Sequence, residues 1–196
     1  IIMEKLFLLD AYALIYRSYY AFIKNPRINS KGLNTSAIIG FVNTLQEVIE
    51  KEQPKYLGVA FDPHGPTFRS DKFPAYKAQR AATPEDIKKA VPIIKELLAA
   101  YRIPVLQVDG FEADDVIGTL AKKADSIDGV QTFMLTPDKD YGQLVTDRVS
   151  IYRPRHGGGY EVMGPKEVCY KYGITTPLQV IDLLALMCDS ADNFPG

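Results

Sequence analysis

The chain predicts an α/β fold in three layers, with helices on both faces of a mainly parallel sheet, and three observations carry that prediction. Four short runs rich in branched and aromatic residues, Lys5 to Leu9, Tyr56 to Phe61, Pro104 to Val108 and Thr132 to Thr136, read as buried strands. Between them lie longer stretches whose apolar residues recur near a 3.6-residue period, as alternating β and α units require. Each run is also followed at once by acids, which places a set of carboxylates at one edge of the predicted sheet.

Taken in order, the first strand ends at Asp10, and Tyr16, Tyr19 and Tyr20 follow at helical spacing. Thr35 to Glu52 carries Ile38, Ile39, Val42, Leu45, Val48 and Ile49 on one helical face. After the second strand, Thr83-Pro84-Glu85-Asp86 supplies an N-cap, a first-turn proline and two acids for a helix toward Tyr101, which Pro92 is expected to kink or divide. A helix from Glu112 to about Ala124 precedes the fourth strand. Beyond Val145 the pattern changes. Val149 to Arg153 and Tyr160 to Met163 flank His156-Gly157-Gly158-Gly159 as a hairpin, and Pro165 and Pro177 start helices over Lys166 to Tyr172 and Pro177 to Met187.

Composition narrows the function classes. The 196 residues are 46% hydrophobic and 24% charged, which excludes disordered, collagen-like and coiled-coil chains and suits one domain. Cys169 and Cys188 cannot form a disulfide framework and lack zinc-site spacing, so a reducing cytoplasm is expected. No run approaches the roughly 18 apolar residues of a membrane span, and no membrane partner is expected. Ile1 and Ile2, ahead of Met3, are read as a remnant outside the natural start, leaving 3–196 as the domain. The end, Asp189 to Gly196, reads as a loop that has only begun, as in a piece of a longer protein.

The acids are the strongest signal. Asp10 ends the first strand and Asp62 follows the second; Glu112, Asp114 and Asp115 follow the third, Asp138 and Asp140 the fourth, and Asp189 and Asp192 follow the last helix. Any one of them is also what a turn or a helix N-terminus selects. Nine from five segments at one sheet edge are a different matter, because crowded carboxylates stay ionised only when something positive joins them. Oxygen donors without His or Cys select Mg²⁺ or Mn²⁺. Two such ions about 3.5–4 Å apart suit in-line displacement at a phosphodiester. The acids lack the 12-residue spacing of a calcium EF-hand.

A basic, aromatic stretch follows Asp62: Phe68, Arg69, Lys72, Phe73, Tyr76, Lys77 and Arg80, with Lys88 and Lys89 beyond. Cations for phosphates and rings for bases are what single-strand binders combine, although a solvated loop with tucked-in aromatics has the same composition. Lys77 and Arg80 share a face if the stretch is helical. Arg17 is a candidate phosphate contact, and His64 reads as a loop residue. Gly157-Gly158-Gly159 lacks the Lys-Ser/Thr of a phosphate loop, and no Gly-x-Gly-x-x-Gly follows the first strand, which argues against a dinucleotide site.

Together the stretches Leu9-Asp10 with Tyr16-Arg17-Ser18-Tyr19, Phe61-Asp62 with Thr67-Phe68-Arg69, Tyr76-Lys77 with Arg80, Glu112 to Gly118, Thr136 to Asp140 with Gln143-Leu144-Val145, and Asp189 to Asn193 resemble the 5′-nuclease domain of bacterial DNA polymerases I, in the flap endonuclease and PIN-like group. The resemblance covers the chain after Met3 and implies a PIN-like, Rossmann-like sheet with a helical arch over the active site. It implies a Mg²⁺- or Mn²⁺-dependent 5′-3′ exonuclease and flap endonuclease acting on DNA and RNA primers in replication and repair, monomeric, with polymerase domains in the full-length chain.

By the same resemblance Asp10, Asp62, Glu112, Asp114, Asp115, Asp138, Asp140, Asp189 and Asp192 are metal ligands. Lys77 and Arg80 act with Asp114 in catalysis, while Arg17, Arg69, Lys72, Tyr76 and Lys139 join them in holding substrate. Cys188 and Pro137 stand where this group usually has Gly. The group continues past Gly196 into a duplex-gripping helix-hairpin-helix-like element, so weak duplex affinity is expected. Two rival readings are a noncatalytic metal- and nucleic-acid-binding fragment and a PIN-type ribonuclease. The net charge of −1 acquires meaning here: nine of 24 acids belong to the cluster, leaving 15 against 23 basic residues elsewhere to meet a polyanion.

Overall fold

A computed structural model describes residues 3–155, 157–187 and 192–193. Six strands, β1 (Glu4–Asp10), β2 (Tyr56–Ala60), β3 (Val105–Leu106), β4 (Val130–Leu135), β5 (Val149–Pro154) and β6 (Tyr160–Met163), form one sheet in the order β3-β2-β1-β4-β5-β6. All neighbours are parallel except β5 and β6, the predicted hairpin. Among the described residues seven helices surround it: α1 (Ala11–Ala21), α2 (Ser36–Glu52), α3 (Phe68–Lys72), α4 (Glu85–Ala100), α5 (Ala113–Asp125), α6 (Pro165–Tyr172) and α7 (Val180–Met187).

The period of two along the central strands sorts side chains between two cores. Phe7, Leu9, Phe133 and Leu135 pack with α1, α2 and α4 on one face. Leu8 and Met134 pack with α5, α6 and α7 on the other. Strands covered on both faces lose the polar alternation of a solvated sheet, which is why they appear in the sequence as continuous apolar runs.

Connections from β1 through β2 to β3 all step one way, and α5 then carries the chain back to β4 on the far side of β1. Because right-handed crossovers in opposite directions place their helices on opposite faces, α4 and α5 fall on different layers. The reversal leaves a crevice between the carboxyl ends of β1 and β4, the place where such sheets bind ligands.

Several expectations needed correction. Helix α4 runs unbroken through Pro92, whose side chain faces solvent at the position after buried Val91. The third strand is two residues long, an edge piece ending before the turn in which the Phe111 N–H donates to the Val108 carbonyl. The last helix is split into a 3-10 turn at Pro177–Gln179 and α7. Only Phe68–Lys72 of the basic stretch is helical. Phe73 is extended (φ −136°, ψ 89°) because the following Pro74 disfavours a helical conformation there, and turns follow over 74–79. The three glycines of the hairpin all have positive φ, which accounts for them as turn residues.

Helices α1 and α2 meet at Gly40, where an added Cβ would lie 2.5 Å from the Ser18 Cβ. Neither atom can swing away, so Gly40→Ala is expected to destabilise the fold by roughly 1–3 kcal/mol. Thermal melting checks this, and an unchanged midpoint would show that the helices are not in such close contact.

Candidate functional site

A cavity of about 810 Å³ opens at the crevice between β1 and β4. Seven of the nine predicted acids line it: Asp10, Asp62, Glu112, Asp114, Asp138, Asp140 and Asp192. Asp189 and Cys188 lie outside the described residues. Asp115 does not face this cavity. It lines a smaller adjoining hollow with Gly118, Thr119 and Lys122, which shares Arg69, Asp114 and Asp140 with the cavity; one residue along a helix turns a side chain by about 100°, so Asp114 reaches both spaces and Asp115 only the smaller.

Asp10 is buried, 9% exposed, at the end of β1. One carboxylate oxygen accepts the Ala13 N–H at 3.1 Å and so caps α1; the other accepts from the Tyr141 hydroxyl at 3.2 Å and the Thr136 hydroxyl at 3.4 Å. Burial raises its pKa to about 7; the Ala13 N–H opposes the rise, and the charges of Asp62 and Asp138 add to it. Asp62 accepts the Ala113 N–H at 2.7 Å, which ties the end of β2 to the start of α5. Asp114 is raised to about 6, chiefly by burial, against the pull of Arg69 and with the push of Asp115 and Glu112.

The opposite wall is basic and aromatic: Tyr12, Tyr16, Arg69, Tyr76, Lys77 and Arg80 all line the cavity. Lys77 Nζ lies 2.8 Å from Glu112 Oε2, and the Tyr76 hydroxyl donates to that oxygen at 3.0 Å. Arg80 pairs with Asp192, the Lys77 N–H donates to the Asp192 carbonyl at 3.1 Å, and Asn193 Nδ2 donates to the Ala75 carbonyl at 2.9 Å. Lys77 holds a left-handed backbone (φ 56°), uncommon for a residue with a side chain, and this aims its ammonium inward without a helix.

Arg17, Lys72 and Lys139 do not line the cavity. Arg17 instead donates to the Arg155 carbonyl of the hairpin at 3.1 Å, and Lys72 lies over the Phe68 ring. Residues that the sequence reading did not assign a role also contribute. Tyr141, fully buried behind Asp10, and Thr136 hold the Asp10 carboxylate. A tyrosine directly after the second acid of Asp138-x-Asp140 was the available signal, but nothing local shows that its hydroxyl reaches back to β1.

The donor set fits divalent cations. Every acid offers oxygen alone, and the burial that raises Asp10 and Asp114, with neighbouring carboxylates adding to it, is what a bound cation would offset. Among the described residues no three acids close on one point as a cage. Mg²⁺ does not require one, since it keeps several waters and takes one or two direct carboxylates.

Comparison with known proteins agrees with this geometry. The model of the 5′-3′ exonuclease N-terminal resolvase-like domain matches residues 5–173. DNA polymerase I of Treponema pallidum (strain Nichols) is 42% identical over 193 residues, covering 98% of this chain and 19% of that protein. A 5′-3′ exonuclease of Aquifex aeolicus (strain VF5) is 41% identical over 194 residues, covering 99% of this chain and 65% of that protein. The chain therefore spans about a fifth of the length of the polymerase relatives it matches. The solved T5 D15 protein, co-crystallised with metal ions, superposes with a TM-score of 0.73 at 21% identity, over 98% of this chain and 69% of that one. The catalytic core of Rad2 in complex with DNA substrate gives 0.56 at 17%, over 98% and 56%. At those identities the structural likeness is one of fold. With a family model matched over most of its length and a polymerase relative at 42% identity, the chain belongs to the family of 5′-3′ exonuclease N-terminal resolvase-like domains.

Proposed function

We propose that this domain hydrolyses phosphodiester bonds at 5′ ends and 5′ flaps of DNA, and in RNA primers, in a reaction that requires Mg²⁺ or Mn²⁺. The observation that carries this reading is the division of one cavity into an acidic wall and a basic, aromatic wall at the switch point of a parallel sheet. Bound between Asp10, Asp62, Glu112, Asp114, Asp138, Asp140 and Asp192, with Asp189 beyond the described residues, divalent ions would supply an activated water and charge for the leaving oxygen.

The chain's own groups do the rest. Lys77 and Arg80 face the acids and neutralise charge that builds on the phosphoryl oxygens. Tyr12, Tyr16 and Tyr76 line the cavity and would give bases aromatic surface to pack on. Arg69 stands at the root of the basic wall, and Arg17, Lys72 and Lys139 would meet phosphates farther along the strand. The polymerase relatives suggest that the domain works beside polymerase domains, in replication and repair in the cytoplasm. No described helix is long and apolar enough to cross a membrane.

A labelled 5′ flap tests the reading. Product is expected with Mg²⁺ or Mn²⁺, none after chelation, and at least a 10³-fold slower reaction in Asp114→Ala. Equal product from the parent and from Asp114→Ala would overturn it.

A further inference from the structure

We infer that Asp115 is a positioning residue acting through Arg69, and that it does not ligate a metal. Both of its oxygens are given to one cation, whereas those of Asp10 accept only from neutral donors. Arg69 binds them in a bidentate pair at 2.6 and 2.8 Å, and the oxygen nearer Arg69 Nη1 also accepts the Glu112 N–H at 3.0 Å. That last bond is half of the capping box that starts α5, so the carboxylate is held over the first turn and does not line the large cavity.

The pairing fastens the root of the basic wall to the corner that presents the acids. Helix α3 is joined to that corner three times: by the Phe68 N–H to the Gly110 carbonyl at 3.0 Å, by the Phe68 and Phe111 rings 5.6 Å apart, and by Arg69 on Asp115. The Arg69 guanidinium also lies over the Phe68 ring, which fixes its plane for the bidentate pair. Eight residues farther on, Lys77 reaches Glu112 from the same segment. Asp115 thus sets where Arg69 starts the segment, and Arg69 sets where Lys77 arrives. Releasing this anchor loosens the wall that receives the substrate strand and leaves the facing carboxylates in place.

The proposal rests on the nuclease reading for its kinetic test but not for its binding test. Asp115→Asn, nearly the same shape, should bind Mn²⁺ within about twofold of the parent by calorimetry, whereas Asp114→Asn should bind at least tenfold more weakly. On the flap substrate, Asp115→Asn and Arg69→Ala should each raise KM about tenfold with kcat changed less than threefold, and the double variant should be no worse than either single one. Hydrogen exchange over 68–80 should quicken in both single variants with the midpoint of melting held within a few degrees. Loss of Mn²⁺ affinity in Asp115→Asn equal to that in Asp114→Asn overturns the proposal. So do multiplicative effects in the double variant, or an unchanged KM in Asp115→Asn. If the parent cuts no flap, the nuclease reading falls, and Mn²⁺ affinity with exchange over 68–80 still decides the role of Asp115.

Discussion

Asp10→Asn should make the protein more stable at pH 8 without added metal while lowering cleavage by about 10³-fold or more. The two effects have one cause. Asp10 is buried among like charges, and its pKa is raised to about 7. A carboxyl that holds its proton more tightly in the folded state than in the unfolded one makes stability fall as pH rises from about 4 to about 7; above that window the full cost remains. At about 1.4 kcal/mol per unit the ceiling is near 4 kcal/mol, and relaxation around the site reduces the expected gain on neutralisation to roughly 1–2 kcal/mol. An asparagine keeps the geometry: its oxygen accepts the Ala13 N–H, and its amide donates to the hydroxyls of Tyr141 and Thr136, which can rotate to accept. Melting at pH 5 and pH 8, with and without Mg²⁺, checks this. The parent should gain from Mg²⁺ mainly at pH 8, and the variant should gain little at either pH. A variant less stable than its parent at pH 8 would show that Asp10 is held by contacts that outweigh its burial.

Lys77→Ala should lower kcat on a 5′ flap by roughly 10²–10³-fold with little change in KM, the expected loss for one cation aimed at a phosphoryl group. The same change removes the ammonium 2.8 Å from Glu112 and leaves that carboxylate, 7% exposed, with the Tyr76 hydroxyl and with Arg69 at 3.9 Å. Mn²⁺ affinity should therefore stay the same or increase, in contrast to every substitution in the acidic wall. Single-turnover cleavage alongside calorimetry separates the two. A kcat within fivefold of the parent would remove Lys77 from the chemistry.

The helices and central strands were legible because their signals are local. A 3.6-residue period over Ile38 to Ile49 or an unbroken apolar run such as Phe7-Leu8-Leu9 does not depend on what lies far away in the chain. Pro92 does not divide α4, because it lies on the solvent side, where water can meet the carbonyl left without its N–H donor. Lys77 and Arg80 would share one helical face only if their stretch were helical, which it is not. They line the cavity from turns, because Pro74 stops α3 early and the Lys77 backbone turns left-handed.

By itself the sequence determined the fold class, the acids that follow the strands, and the choice of oxygen donors that favours a hard cation, since each depends on residue type and spacing along the chain. Tertiary structure alone decided which of those acids share a cavity. Asp114 and Asp115 are adjacent and chemically identical, yet one helical step sends the first into the site and the second into the grip of Arg69. Tyr141 and Arg69 acquired their partners the same way, through contacts 131 and 46 residues apart that form only once the sheet is assembled.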